Sequence, residues 1–362
     1  MWRATPNTGG AGLSHHDVVI IGAGPGGASA AYHLLLASRL KVALVERLQD
    51  DRFAHYHRMC GEGISQAGLR GIGIPTEGLI EQPITIVEEH WPGEIDVRVK
   101  VKGAIIDRVA LLERMKGRFL EMGGVMIDDS LSRIVGNGPG MEVHMASGET
   151  ITTDHIIGAD GARSKVRAKY FPELVPGLIW ADQFITDERT EKGVLHFHYD
   201  QRYVGGYKWV FPAKEGSRIG FPRGTDQMPR GVMERHRRAI PVAKSERVVN
   251  GRVCLVGDAA CQVNSISFGG IRTAITAGGM AAKALAKGDL ARYQRDWTSS
   301  SYAKASDIAS YRRLSSMGNE EMARIAKPFK KGYVGFNSTM AMLFSRDRAL
   351  YLAFRAAGNY GW

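Results

Sequence analysis

Residues 17–47, DVVIIGAGPGGASAAYHLLLASRLKVALVER, run from an apolar strand through a glycine turn into a helix, then into a second strand that ends in an acid. Gly22, Gly24 and Gly27 carry the G-x-G-x-x-G spacing, and Glu46 follows 19 residues after the last of them. Context gives the spacing its weight: Asp17 to Ile21 reads as a strand, Pro25 to Ser38 as a helix and Lys41 to Val45 as the next strand. Each part has a mechanical role. Gly22 permits the tight turn, Gly24 lets backbone approach a pyrophosphate, and Gly27 lets helix and strand pack closely. The helix N-terminus then faces the phosphates, and Glu46 can accept hydrogen bonds from a ribose diol. The stretch predicts a dinucleotide-binding βαβ unit.

Composition narrows the classes. A chain of 362 residues, 44% hydrophobic and 23% charged, is long enough for a large core and a second, inserted domain. No run of 18 apolar residues occurs, which argues against a membrane-spanning helix. The opening MWRATPNTGGAGLSHH has no apolar segment and reads as a disordered leader (1–16), with His15 and His16 solvated, instead of a signal peptide. Three cysteines, Cys60, Cys254 and Cys261, lack metal-ligand spacing, so they fit a reducing cytoplasm and give neither a disulfide framework nor a metal site. The net charge of +11 implies an anionic partner, yet no nucleic-acid-binding motif is present, so no nucleic acid is expected. From Arg312 to Arg355 nine Lys/Arg stand against three Asp/Glu, interleaved with Phe329, Tyr333, Phe336, Phe344, Tyr351 and Phe354. That combination suits peripheral binding to an anionic membrane surface, and equally an ordinary solvated helical tail.

Residues 84–102 alternate in polarity and predict antiparallel strands around the Pro92-Gly93 turn. Asp107 to Met122 predicts an amphipathic helix, and 125–157 a small β-meander with a hairpin turn at 136–140. Aromatic-rich strands follow from 193 to 222, then a buried strand in 252–260, a long helix from Ile271 to Lys287, and a helical tail. Parallel βαβ parts are thus interrupted by antiparallel blocks. The expected fold is α/β: a Rossmann-type nucleotide-binding domain from 17–83, 106–175 and 246–290, an inserted antiparallel β-sheet substrate domain from 84–105 and 176–245, and a helical C-terminal region over 291–362.

Two further motifs sharpen the ligand. Gly158-Ala-Asp160-Gly161 follows a strand and opens a helix, and Gly257-Asp258 sits at another strand end. Carboxylates at the carboxyl ends of parallel strands project into the ligand crevice, although each motif alone also fits a turn with a helix cap. Together with the opening fingerprint they resemble the para-hydroxybenzoate-hydroxylase-like FAD family, the glutathione-reductase-type flavin group, over about residues 17–290. The resemblance implies FAD, with Asp160 near the pyrophosphate and Asp258 on the ribityl chain. It extends the cofactor-binding set to Arg47, Cys60, Gly61, Gly161, Gly257, Gly269, Gly270 and Ile271. No second G-x-G-x-x-G is present for a stably held nicotinamide dinucleotide.

Tyr207-Lys-Trp209-Val-Phe211-Pro212, followed by Gly220, is similar to the Y-x-W-x-F-P…G-x-G signature of geranylgeranyl reductases. Cys60-Gly61-Glu62-Gly63 is similar to the matching segment of their archaeal branch, the digeranylgeranylglycerophospholipid reductases. This resemblance implies an FAD-dependent oxidoreductase acting on CH–CH bonds, which saturates isolated C=C bonds of geranylgeranyl chains on membrane-lipid precursors. It also implies an external electron donor (NAD(P)H, a ferredoxin or a deazaflavin) and points to Cys60 as the catalytic position. From the residues themselves, Tyr207, Trp209 and Phe211 share one strand face and suit an apolar slot for a polyisoprenoid, with Gly220 beside them; core packing is the plain alternative. Cys60 likewise fits a small buried thiol in a glycine loop. An unactivated alkene needs a hydride on one carbon and a proton on the other, with water excluded.

The chain departs from the family pattern at Ser265, Phe268 and Pro222, which stand where proline, glycine and glycine are usual. Phe268 must either point away from the flavin ring or reshape its surroundings, and the short tail leaves no large C-terminal cap. Two other readings share the FAD motifs: an NAD(P)H- and O2-dependent flavin monooxygenase, and a flavoprotein that binds isoprenoids without turning them over.

Overall fold

The strand His15–Ile21 is buried on both faces from Val18 onward, as its unbroken apolar run requires of a strand inside a parallel sheet. It pairs in parallel with Val42–Val45 on one side and Thr150–Gly158 on the other. The structure is a computed structural model that describes residues 13–362 except 306, 307 and 334. The first sheet runs Val249–Asn250, Val253–Leu255, Thr150–Gly158, His15–Ile21, Val42–Val45, Val125–Ile127, with the hairpin Leu131–Val135 and Met141–Met145 added antiparallel to Thr150–Gly158. Helix Pro25–Ala37 leaves the fingerprint turn with proline in its first turn. A Cβ on Gly27 would lie 1.8 Å from the Gly22 carbonyl oxygen, so only glycine allows this approach of helix to turn. The same helix packs against Ile271–Leu285, where the Ser29 hydroxyl donates to the Ile275 carbonyl at 2.7 Å.

The second sheet has eight strands in the order Val232–Val242, Gly177–Thr186, Ser217–Pro222, Lys208–Pro212, Val194–His198, Ile80–Trp91, Ile95–Ile106, Gly63–Ser65. Every pairing is antiparallel except Val194–His198 with Ile80–Trp91. The turn at Pro92-Gly93 and the helix Arg108–Glu121, capped by Asp107, lie where the sequence places them.

Three expectations need correction. The strand begins at His15, inside the expected leader, because His15 and His16 pair with Thr152 and Thr153; residues 1–12 of that leader lie outside the described residues. Val125–Ile127 is not part of the meander. The helix before it delivers the chain as a parallel crossover beside Val42–Val45, and the hairpin starts only at Leu131. Gly63–Ser65, inside the stretch expected in the nucleotide domain, is the edge strand of the second sheet.

The tail is helical: Leu290–Ser299, Ser301–Ala305, Ile308–Ser315, Asn319–Ala326, Phe336–Phe344 and Arg348–Tyr360. One carboxylate ties three of these helices together. Buried Asp347 accepts from Arg313 at 3.1 Å and Arg324 at 3.0 Å, and Glu321 accepts from both arginines. Burial alone would raise the Asp347 carboxyl, but hydrogen bonds from Arg324 and Arg313 outweigh it and hold the group below its ordinary 3.8. Asp347→Asn is expected to cost about 2 kcal/mol in denaturant unfolding at neutral pH. A depressed carboxylate contributes above its unfolded value and loses that contribution as the pH falls through the folded one. The gap between wild type and variant should therefore close below pH 3.8, and a gap that widened on acidification would contradict the assignment.

Candidate functional site

A cavity of about 670 Å³ lies between the two sheets, roofed by the tail helices. Its walls differ in kind. One is mostly backbone: Gly24, Pro25 and Gly26 of the fingerprint, Ala159 and Gly161, Gly257 and Asp258, then Gly269, Gly270 and Ile271. The other is apolar and aromatic, built on the second sheet.

On the backbone wall, helices Pro25–Ala37 and Ile271–Leu285 both begin at glycines (Gly24, Gly270) with no side-chain cap, so their N-terminal N–H groups are left to a ligand. Glu46, like Gly22 and Gly27, lies behind this wall and does not line the cavity; it is buried, and its two oxygens accept from the Ala23 N–H at 2.7 Å and the Leu48 N–H at 2.9 Å. Asp258 faces the cavity with Arg238, whose Nη2 lies 3.4 Å from its carboxylate; the other Arg238 nitrogen, Nη1, is buried without a protein partner. An anion-ready turn, the Asp258 carboxylate and an orphaned guanidinium nitrogen fit the FAD that the sequence implies.

Not every expected contact faces this wall. The Asp160 carboxylate turns to helix Lys165–Tyr170, accepting from the Ser164 hydroxyl at 2.5 Å and the Lys165 N–H at 2.7 Å. The unpaired N–H groups of that helix need an acceptor, and Asp160 is the nearest. Its neighbours Ala159 and Gly161 line the cavity in its place. Arg47 lies outside, in a separate basic cleft with Arg52, His55 and Tyr56.

Between the walls runs the Cys60 loop. Two buried arginines hold it. Arg108, at the start of its helix, donates to the His57 and Met59 carbonyls. Arg218 donates to Glu62 at 2.5 Å and to Glu81 at 3.1 Å. Half-buried Cys60 and Gly61 face the cavity, and a Cβ on Gly61 would stand 2.5 Å from the Phe211 ring. Glu62 lines the cavity with its side chain only 2% exposed and its φ at 58°. Burial raises its carboxyl to about 7, against the opposing pull of Arg218 and Arg108. A group that exchanges a proton near neutrality inside such a cavity is a usable acid or base.

Tyr207, Trp209 and Phe211 are buried and all line the aromatic wall, with Phe197 edge-on to Tyr207 and Phe211. Gly220 does not line it. It sits opposite Trp209 in the sheet, where a Cβ would come within 1.9 Å of the indole, so its service is to make room for that ring. The Tyr207 hydroxyl donates to the Ser267 carbonyl, tying this wall to the Val263–Gly270 loop. Phe268 does not point away. Its backbone is left-handed at φ 49°, and its ring stacks on Tyr207 at 5.7 Å and lines the cavity. At the far end Glu89 is buried and accepts from Trp91 at 3.0 Å and Tyr333 at 2.7 Å.

The tail helices and the residues after them supply Met342, Phe354 and Trp362 to the lining. The exposed lining residues Lys100, Thr339 and Arg355 mark the opening on this side. Of the cavity residues, sequence reasoning passed over Arg108, Arg238 and Glu89 and gave no role to Glu62. Only Glu62 had a signal, its place inside the quoted Cys60–Gly63 segment.

The pyridine nucleotide-disulphide oxidoreductase signature matches residues 16–194. Across solved structures, a geranylgeranyl bacteriochlorophyll reductase-like protein from Thermoplasma acidophilum superposes with a TM-score of 0.75 at 18% identity, covering 96% of this chain and 97% of that one. A flavin-dependent brominase superposes at 0.61 with 16% identity, over 96% of this chain and 95% of its own. At these identities the likeness establishes the fold. Sequence relatives are nearer. Digeranylgeranylglycerophospholipid reductase 1 of Methanopyrus kandleri is 29% identical over 330 residues, 78% of this chain and 85% of its own. The digeranylgeranylglycerophospholipid reductase of Methanothrix thermoacetophila is 31% identical over 337 residues, 78% of this chain and 83% of its own. Identity at that level, over more than two thirds of both chains, makes this chain a member of the digeranylgeranylglycerophospholipid reductase family.

Proposed function

We propose that this chain is an FAD-dependent reductase that saturates isolated C=C bonds of geranylgeranyl chains carried by membrane-lipid precursors. One observation carries the reading: a single cavity joins a wall fitted to a flavin dinucleotide with the Tyr207–Trp209–Phe211 face, and the Cys60 loop lies at the junction. The names of the relatives support the same substrate class. When bound and reduced by an external donor, FAD supplies the hydride. The protein has to hold the chain, exclude water and deliver a proton. Gly22, Gly24, Gly27, Glu46 and Asp258 hold the cofactor, with Arg238 as a further donor. The aromatic face holds the polyisoprenoid. Cys60 orients the reacting groups, and Glu62 holds the proton that the second alkene carbon receives. Lys100 and Arg355 at the opening receive an anionic head group, at the cytoplasmic face of a membrane.

The direct test is anaerobic. The dithionite-reduced holoprotein, given a geranylgeranyl lipid, is expected to be reoxidised while the lipid gains H2 for each bond saturated. Cys60→Ala should keep its flavin and lose turnover. Product formation only in the presence of oxygen would overturn the reading in favour of a monooxygenase, and binding without reoxidation would leave a carrier.

A second measurement isolates the acid. Because Glu62 is protonated below about 7, kcat/KM should fall as the pH rises through that value. Glu62→Gln should remove that limb and lower kcat on the order of 10²-fold with the flavin spectrum intact. An unchanged pH profile in the variant would remove Glu62 from the reaction.

Gly220→Ala separates the walls. Displacing the Trp209 indole should cost about 1–3 kcal/mol of stability. It should also raise KM for the lipid and leave FAD affinity unaltered, and a loss of FAD affinity instead would reverse the assignment of the two walls.

A further inference from the structure

Helix Phe336–Phe344 has two faces. Inward, Ser338 and Met342 are buried; the Ser338 hydroxyl donates to the Gly332 carbonyl at 2.9 Å, and Met342 lines the cavity. Outward, Phe336, Met340, Leu343 and Phe344 fall at i, i+4, i+7 and i+8, one side of an α-helix. Phe336 is 79% and Phe344 75% exposed. An apolar stripe of this kind on a water-facing helix costs free energy unless something covers it.

Charge identifies the cover. The helix itself contains no charged residue. Exposed Lys327, Lys330 and Lys331 precede it, and exposed Arg346 and Arg348 follow it. Arg346 shares the nearby acids Asp347 and Glu321 with Arg313 and Arg324, so two carboxylates serve three arginines and none is left for Lys327, Lys330, Lys331 or Arg348. An apolar face ringed by uncompensated cations complements a surface that is apolar inside and negative outside. No helix among the described residues is long and apolar enough to cross a membrane, so the contact is interfacial.

Position supplies a second argument. Thr339, on the flank of this helix, lines the cavity opening together with Lys100 and Arg355. A bilayer touching the Phe336–Phe344 stripe would therefore lie at the mouth of the cavity. We propose that the outer face of helix Phe336–Phe344 inserts into the interface of an anionic bilayer and sets the cavity mouth at head-group level, so that a lipid substrate enters without crossing water. The orientation rests on the reductase reading; the docking itself does not.

Vesicle sedimentation of the holoprotein tests it without turnover. Vesicles of equimolar phosphatidylcholine and phosphatidylglycerol should bind the protein, with binding weakened by salt and by omission of phosphatidylglycerol. The double variant Phe336→Ser/Phe344→Ser should bind at least about tenfold more weakly. It should turn over a detergent-dispersed lipid like the wild type, but vesicle-embedded lipid more slowly. Absence of wild-type binding, or equal binding by the variant, would overturn the proposal. So would a wild-type dimer in vesicle-free solution that the two substitutions dissociate, because a second copy would then cover the stripe. Vesicle binding by a protein that reduces no lipid would leave the docking standing and sink only the reductase reading.

Discussion

Arg108 and Arg218 grip one short loop from opposite sides, and the rest of the site depends on that grip. Burying a guanidinium is expensive unless its donors are used, so each arginine strongly selects the one loop path that offers acceptors: the His57 and Met59 carbonyls for the first, Glu62 and Glu81 for the second. Between these anchors Cys60 and Gly61 have little freedom. Gly61 can lie against Phe211 only because it has no side chain, and Glu62 is kept in a left-handed conformation that few residues adopt. The pair Arg218–Glu62 adds little to stability on its own account, since desolvation offsets most of the attraction. Its effect is positional: it brings a loop leaving the nucleotide sheet against the face of the second sheet, and the cavity is the space that this leaves.

Phe268 illustrates how a local cost is absorbed by such a site. A left-handed backbone at a residue with a side chain costs about 1–2 kcal/mol. The ring recovers contact on Tyr207 and Tyr311 and narrows the passage where backbone wall meets aromatic wall. The residue that the sequence marks as a departure therefore stands at the junction of the two walls, next to Gly269 and Gly270.

The parts legible in the sequence are those whose chemistry is written in neighbouring residues. The fingerprint, its helix and the strand after it follow from glycine geometry and apolar runs, and the aromatic face follows from two-residue alternation in a strand. Asp160 was harder, because a strand-end carboxylate serves a ligand or a helix cap equally well, and only the position of helix Lys165–Tyr170 decides. Arg238 and Arg108 matter through partners far away in sequence, which spacing cannot reveal. Glu62 stood inside a recognisable motif, yet its raised proton affinity comes from burial that outweighs the pull of Arg218, and both are products of the tertiary fold. The strand Gly63–Ser65 is three residues long, too short to carry a periodicity.

The chain visits its two sheets alternately. Residues 15–45 belong to the first, 63–106 to the second, 125–158 to the first, 177–242 to the second, and 249–255 return to the first. No single cut of the backbone could release either sheet whole. Val19 must find Ile156 and Ile86 must find Val194, so each sheet closes only after segments of the other have been threaded between its strands. Assembly of this kind is slow, because distant loops have to close before long-range contacts reward them. Once complete it resists hinge motion, since any rotation of one sheet against the other would strain four covalent crossings at once. The fold thus favours an enzyme that does not open and shut about its active cavity, and whose partners meet a fixed geometry.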